Sequence, residues 1–395
     1  MTSAFIASRH LRCRPLQTFS VVAVIAFSVG LCVALMSIAI GLQEGLIRAV
    51  EPFELVVGAK GSPYQLVLNT VFLQDAPVGN LAWRDYAELS DDARVGFAVP
   101  LAFGDSFSGH PIVGTTRDVT RITNGDGSPW IRLAEGRWFE GAFEAVLGAN
   151  AASESGLGVG ASFRTLHGIS GDDEHEHDYR VVGIADRVYG PYDRAVFVGI
   201  GDIWEEHAHG DGRAGKLRSH GDVTAILVHP DSYTGAYSLA ASFQRSASGQ
   251  LAFPSQTVMR LFSMIGRGER FLSVVSYAVA ACALLTTLMA LHWSAAARSA
   301  ESALLRDMGV SASALVFISW LEGVMALALG IASGELAGRL CARLAFDALN
   351  GASAIYSAAP LSARDIALPV ALLAAGSLGS LIASWTGSRA AARSL

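Results

Sequence analysis

The stretch FSVVAVIAFSVGLCVALMSIAIGL, residues 19–42, decides what kind of protein this is. It runs for more than 20 positions without a charged residue. At ~1.5 Å per residue that crosses the ~30 Å hydrocarbon layer of a bilayer. A cleavable signal peptide carries an apolar run of only ~7–15 residues behind its basic start. Arg9, Arg12 and Arg14 supply a basic start, but the run behind them is too long. The expected role is a permanent anchor, preceded by a short basic amphipathic helix with Phe5, Ile6 and Leu11 on the membrane.

Three more windows repeat the pattern. Residues 271–293 and 366–387 contain no Asp, Glu, Lys or Arg, and residues 312–334 are interrupted only by Glu322. The chain is 51% hydrophobic, with a mean hydropathy of +0.39, too apolar for an ordinary soluble protein of 395 residues. The fold class expected is a membrane protein of four transmembrane helices, with a large α+β extracytoplasmic domain inserted between helices one and two. The divisions are a cytoplasmic amphipathic segment (1–18), the first span (19–42), the outer domain (43–270) and the second span (271–293). A cytoplasmic helix (294–311), the third span (312–334), a short outer loop (335–365), the fourth span (366–387) and a cytoplasmic tail (388–395) complete the chain.

Orientation follows from Lys and Arg. With the N-terminus inside, the inner segments hold Arg9, Arg12, Arg14, Arg298, Arg306, Arg389 and Arg393 against Glu301 and Asp307. The segment 43–270 carries 19 basic and 29 acidic residues, so its net charge is −10. Both termini are therefore expected in the cytoplasm and the large domain outside, in the periplasm of a bacterial inner membrane. Trp293 and Trp385 then fall at the inner ends of their helices, where an aromatic belt belongs. Cys13, Cys32, Cys282 and Cys341 all lie outside 43–270, so the outer domain must stand on its core without disulfides.

Within that domain the pattern mixes strands and helices. Residues 53–58, 65–72, 95–103, 111–114, 162–166, 179–185, 195–198 and 223–229 read as strands. Residues 83–91 and 233–246 read as helices, and 144–152 as a strand running into a helix. The first span is expected to continue outward as a stalk through residues 43–50.

Between the second and third windows lies AAARSAESALLRDMGVS, residues 295–311. At 100° per residue Ala300, Leu304 and Met308 form one stripe, and Arg298, Ser302 and Arg306 lie roughly opposite. The segment is a cytoplasmic amphipathic helix, and Gly309 suits the position just past a helix end.

These pieces resemble a permease of the MacB/FtsX type, the transmembrane subunit of the ABC systems called type VII or mechanotransmission transporters. The order of one span, a large outer domain and three close spans is shared with that family. EGRWFEGAFEAVLGANAASESGLGVGASF (135–163), YRVVGIA (179–185) and YDRAVFV (192–198) resemble its GRxF, EaVLG, LGLxVG, VVGI and DRAxFV pieces. RSAESALLRDMGVSASAL (298–315) with SWLEGVMALALGIASG (319–334) resembles its RRxEIAxLRAxGASxxxL motif and its Glu- and Gly-bearing third span. Ala303 stands where the motif has isoleucine and Met308 where it has a small residue.

The resemblance implies that 294–311 is the coupling helix seated in a groove of a cytoplasmic ABC ATPase. Arg298, Ala300, Glu301, Leu304, Leu305, Arg306, Met308 and Gly309 are the residues expected to make that contact. No G-x-x-x-x-G-K-[ST] occurs in the chain, so ATP and Mg²⁺ belong to the partner and the chain itself is expected to bind no cofactor and to be no enzyme. Four spans do not enclose a pathway, so a second copy or a paralogous permease is expected, along with membrane lipid. A periplasmic adaptor or lipoprotein partner is compatible with the family, and no nucleic acid is expected. The function implied is conversion of ATP-driven closure into movement of the outer domain, for export, extraction or lipoprotein transport. An FtsX-like regulator of a periplasmic enzyme is the alternative.

Two His-rich runs add a third reading. HGISGDDEHEHDY (167–179) holds His167, Asp172, Asp173, His175 and His177; EEHAHGDG (205–212) holds His207 and His209. Imidazole with carboxylate suits Zn²⁺, Ni²⁺ or Cu²⁺, while the first expectation for both runs is solvated surface loops. A metal-linked (zinc) system is the function this reading implies. Glu322, an acid inside a span, is expected to serve helix packing, against the default reading of such an acid as functional.

Overall fold

The computed structural model describes residues 3–74, 77–167, 177–210, 221–246, 249–261, 309–353 and 363–393, with scattered positions in 278–293. The chain forms two compact units. One comprises Met1–Gly41, Gly266–Ala348 and Ala358–Leu395; the other comprises Leu42–Ile265 and Leu349–Ser357.

The second unit is organised by a mixed sheet. Its strands are β1 (Leu55–Ala59), β3 (Val95–Ala102), β5 (His110–Thr115), β6 (Leu133–Gly136), β7 (Glu144–Leu147), β10 (Tyr179–Ala185), β11 (Val196–Gly199), β13 (Ala225–Pro230) and β14 (Gly249–Ala252). They lie in the order β14-β1-β13-β3-β5-β11-β7-β10-β6. The pairs β5–β11 and β7–β10 run parallel and the other neighbours antiparallel. Short strands β2 (Leu81–Ala82), β4 (Asp105–Phe107), β8 (Ser162–Phe163), β9 (Leu166–His167) and β12 (Asp222–Val223) pair around its margins.

Alternation of side chains along each strand gives the sheet two apolar faces. Val56, Val146, Phe197 and Leu227 belong to one core. Their neighbours Leu55, Val57, Ala145, Leu147, Val196, Val198, Ile226 and Val228 belong to the other. The outer end of α2 (Pro15–Val50) and α3 (Pro63–Thr70) pack into the first core. Helices α4 (Trp83–Ser90), α5 (Ala149–Ser155), α6 (Ile200–Gly210) and α7 (Tyr233–Phe243) pack into the second.

Most expected elements of this unit recur, and two differ. Residues 65–72 look β-prone, yet they lie mainly in α3. Ser62 caps that helix through its hydroxyl to the Gln65 amide at 3.5 Å, and Pro63 occupies the first turn. Residues 205–210, read as a surface loop, lie in α6, whose Ile200 and Ile203 are buried in the second core.

In the first unit, α1 (Ser3–Cys13) precedes α2, which runs unbroken for 36 residues and includes the expected stalk. Helix α8 (Ala312–Ser353) continues well past residue 334, into the stretch read as an outer loop, where Arg339 pairs with Glu335. Helix α9 (Ala363–Arg393) carries Pro369. Among the described residues, three helices are long and apolar enough to cross a membrane, within Pro15–Val50, Ala312–Phe346 and Pro369–Thr386. The window 271–293 lies mostly outside the described residues.

Ile25, Val29 and Val33 of α2 pack with Leu327 and Ile331 of α8 and Leu372 of α9. The approach of α2 to α8 is close enough to exclude side chains. A Cβ on Gly334 would lie 2.6 Å from the Ala26 carbonyl oxygen, and one on Gly338 would lie 2.5 Å from that of Gly30. This is the small-residue contact by which helices associate in lipid. The Trp320 indole donates to the Ser377 carbonyl at 3.1 Å, and the Ser380 hydroxyl to the Trp320 carbonyl at 3.4 Å, which ties α8 to α9.

Gly334→Leu should destabilise this unit by about 1–3 kcal/mol, as overpacking does, because backbone cannot yield as a side chain would. Thermal unfolding of the detergent-solubilised chain checks this. Leu329→Ala on the same helix, 55% exposed, should leave the midpoint nearly unchanged.

Candidate functional site

The first place to build from is the corner where α2 meets the sheet. Ala49 and Val50 end the helix inside the first core, and Phe53 follows directly. Phe53 meets Trp130 edge-on with centroids 4.8 Å apart, and lies 5.8 Å from Tyr192. Trp130 and Tyr192 are themselves 4.8 Å apart. The Tyr192 hydroxyl donates to the Thr70 carbonyl at 2.6 Å, so the aromatic knot also holds the end of α3. Beside it lies an open cavity of about 450 Å³ lined by Arg48, Glu51, Trp130, Arg132 and Tyr189 among others.

The turn bearing Tyr192 is fixed from two sides. Asp193, 3% exposed, accepts the Val188 amide at 2.7 Å and the Gly190 amide at 3.3 Å. Burial still pushes its carboxyl above the usual carboxylate range. Across the turn, a Cβ at Gly148 would lie 2.5 Å from the Asp193 carbonyl oxygen, so the strand end and the turn meet backbone to backbone. Nearby, Arg137 grips Glu144 with two bonds of 2.7 and 2.5 Å, and Glu144 also accepts the amides of Glu140 at 2.9 Å and Gly141 at 3.0 Å. The guanidinium, with those amides, holds the Glu144 carboxyl down at about 2. The sequence pieces EGRWF, EAVLG, VVGIA and YDRAVFV thus form one continuous body across β6, β10, β7 and β11. Their chemistry is that of a rigid joint.

The second place is the polar edge of the other core. His177 Nδ1 lies 3.2 Å from Glu206 Oε1, and His207 Nε2 lies 3.5 Å from Asp105 Oδ1. Asp105, Asp202 and Glu206 are each buried. Burial, reinforced by the nearby Asp202, Glu206, Asp105 and Glu205, drives the pKa of the Tyr179 hydroxyl well above the ordinary value. Burial raises the Asp202 carboxyl to about 6, against amide bonds from Phe143 and Gly199 that lower it. His167 Cα pairs with Asp105 across β9 and β4. Among the described residues no three His, Cys, Asp or Glu side chains share one centre.

The two His-rich runs, some 30 residues apart, therefore meet in space through His177 and Glu206. Asp172, Asp173 and His175 lie outside the described residues, and His167 and His209 are described only in backbone. Reading the sequence by period would have found α6, since Ile200, Ile203, Trp204 and His207 recur at helical spacing. Asp105 had no such signal: its place depends on the register of β4 against β5 and β9.

Arg298, Ala300, Glu301, Leu304, Leu305, Arg306 and Met308 lie outside the described residues. Gly309 is described, with φ +90°, a left-handed backbone that favours glycine, and the Ser311 hydroxyl then accepts the Ala314 amide at 3.4 Å to start α8. Glu322 is 1% exposed on α8.

Two carboxylates should titrate with opposite effects on stability. Glu144 is depressed when folded, so its contribution is present above its unfolded pKa of ~4.3 and disappears as pH falls toward about 2. Asp202 is raised, so its ionisation weakens the fold as pH rises from ~3.9 through about 6. In pH-dependent thermal unfolding, Glu144→Gln should lower the midpoint at pH 7 and converge with wild type in acid. Asp202→Asn should gain relative stability above pH ~6 and lose that gain below pH ~4.

A model of the MacB-like periplasmic core domain matches residues 18–245, more than half of the chain. No curated protein matches the sequence. The match begins at the first apolar helix and ends after α7, and so covers the joint and the motif body described above. The chain belongs to the MacB-like periplasmic core domain family, as an ABC-type permease of the MacB/FtsX kind.

Proposed function

We propose that this chain is the permease subunit of a mechanotransmission system. In this reading ATP-driven closure of a separate ABC ATPase moves the outer domain, without a substrate passing between the spans. The observation that carries it is α2, a single helix from Pro15 to Val50 that ends in the core of the sheet domain. Its last turn is buried in that core, and Phe53 just beyond it meets Trp130 and Tyr192, which supports reading the helix as the moving element.

The remaining parts follow the charge pattern and the family. Four spans include residues 271–293, both termini lie in the cytoplasm, and the sheet domain lies in the periplasm of the inner membrane. The stripe of Ala300, Leu304 and Met308 docks on the ATPase, with Leu305 beside it, Arg298, Glu301 and Arg306 at the rim and Gly309 ending the helix. A second permease copy or a paralogue completes the complex. The chain contributes no ATP chemistry of its own.

Leu305→Asp places a charge against an apolar groove, and an unpaired buried carboxylate costs at least about one hydrogen bond's desolvation, ~1–3 kcal/mol. Co-purification of the ATPase should weaken by about tenfold or more, with permease-stimulated ATP turnover lost in the reconstituted complex. Assembly and stimulation equal to wild type would remove the coupling-helix assignment.

A further inference from the structure

Helix α1 and the start of α2 form a bent, cationic elbow. Pro15 has no amide with which to continue α1, so the chain turns at Arg14 and α2 starts anew. Across the bend the Thr18 hydroxyl donates to the Leu11 carbonyl at 3.0 Å, which satisfies one of the acceptors that the end of α1 leaves open. The Thr18 amide donates to the Arg14 carbonyl at 3.1 Å. Ala7 is buried, so α1 is packed and the elbow has a set shape.

Arg9, Arg12 and Arg14 are all exposed on this elbow. Arg9 and Arg12 are neighbours on the surface of α1, three residues apart, and Arg14 stands at the bend. Residues 1–43 hold these three arginines and no Asp or Glu. Directly beyond the bend, α2 turns apolar side chains outward. Leu16, Phe19 and Phe27 are 82%, 70% and 73% exposed, and Val24, Leu31 and Leu35 continue the row. At 100° per residue all six fall within half of the helix circumference. An exposed apolar stripe of this length suits lipid tails and is costly in water. Where the arginines meet the stripe lies an open cavity of about 320 Å³, lined by Arg14, Pro15, Leu16, Gln17 and Ser20.

We propose that this elbow is a headgroup site for an anionic phospholipid. Its phosphate is held by Arg9, Arg12 and Arg14, and its acyl chains lie along Leu16, Phe19 and Phe27. The assignment rests on α2 being a membrane span. Burial of the apolar stripe is indifferent to the headgroup, so selection of a lipid class falls to the arginines. A guanidinium matches phosphate oxygens with two parallel N–H bonds, and three of them favour a head with net negative charge over a zwitterionic one. Basic residues beside a membrane surface attract anionic lipid by about fivefold in affinity each.

The test is native mass spectrometry of the full-length chain, released from micelles that contain phosphatidylglycerol and phosphatidylcholine with matched acyl chains. The chain should retain phosphatidylglycerol in preference, by about tenfold or more. Arg9→Gln, Arg12→Gln and Arg14→Gln should each lower that preference by about fivefold, and the triple variant should abolish it. Arg84→Gln, which removes an exposed arginine of α4, should leave it unchanged. Equal retention of the two lipids by wild type would overturn the proposal, as would a preference that survives in the triple variant or falls as much in Arg84→Gln. Displacement of the lipid by an equal concentration of glycerol phosphate, which has no tails, would assign the arginines to a soluble anion and overturn it too. A chain that floats with vesicles of neither lipid would instead remove the reading of α2 as a span.

Discussion

The contact of Phe53 with Trp130 and Tyr192 ties the end of α2 to the central sheet, and the outer unit depends on that tie. A helix leaving an apolar layer has its backbone hydrogen bonds satisfied internally and is stiff along its axis. The last turn of α2 is itself buried in the sheet's core, through Ala49 and Val50. Tyr192 joins three things at once: the helix end through Phe53, α3 through its hydroxyl, and β11 through its stacking at 5.9 Å on Phe197. The paired amide bonds to Asp193 and the grip of Arg137 on Glu144 then fix the strands that carry the knot.

Much of this was legible in the residues. Apolar runs of more than 20 positions have one physical use, and alternation in YRVVGIA gave β10 residue for residue. The errors have identifiable causes. Residues 65–72 are rich in β-prone types, but Ser62 and Pro63 ahead of them start a helix, and local capping outweighed composition. In α6 the run EEHAHG looks like exposed loop because its polar residues dominate, while Ile200 and Ile203 decide where the helix sits. At the polar edge of the second core, His177 and His207 could be picked from sequence; Asp105 could not, because only strand register places it. The stripe 298–308 rests on sequence alone, since it lies outside the described residues.

The two sides of the sheet are unlike in chemistry. The face that holds the α2 joint is closed by aromatic contacts and one tyrosine hydrogen bond. The face covered by α6 tolerates Asp105, Asp202 and Glu206 at its edge, each at 6% exposure or less. Buried carboxylates weaken a fold unless they are paired, protonated or bound to a cation, and the raised Asp202 shows that tension directly. A position that only needed to pack would be served better by apolar residues of similar volume.

The glycine contact between α2 and α8 has a mechanical consequence. At Gly334 and Gly338, α8 meets the backbone of Ala26 and Gly30 directly, so at those two points there is no side chain of α8 to repack. Side chains that interlock can repack in steps and dissipate a small displacement, as bearings with loose balls would. Two backbones in direct contact have nothing to repack at that point. It also means that this glycine row is already occupied within the chain, by α2 itself.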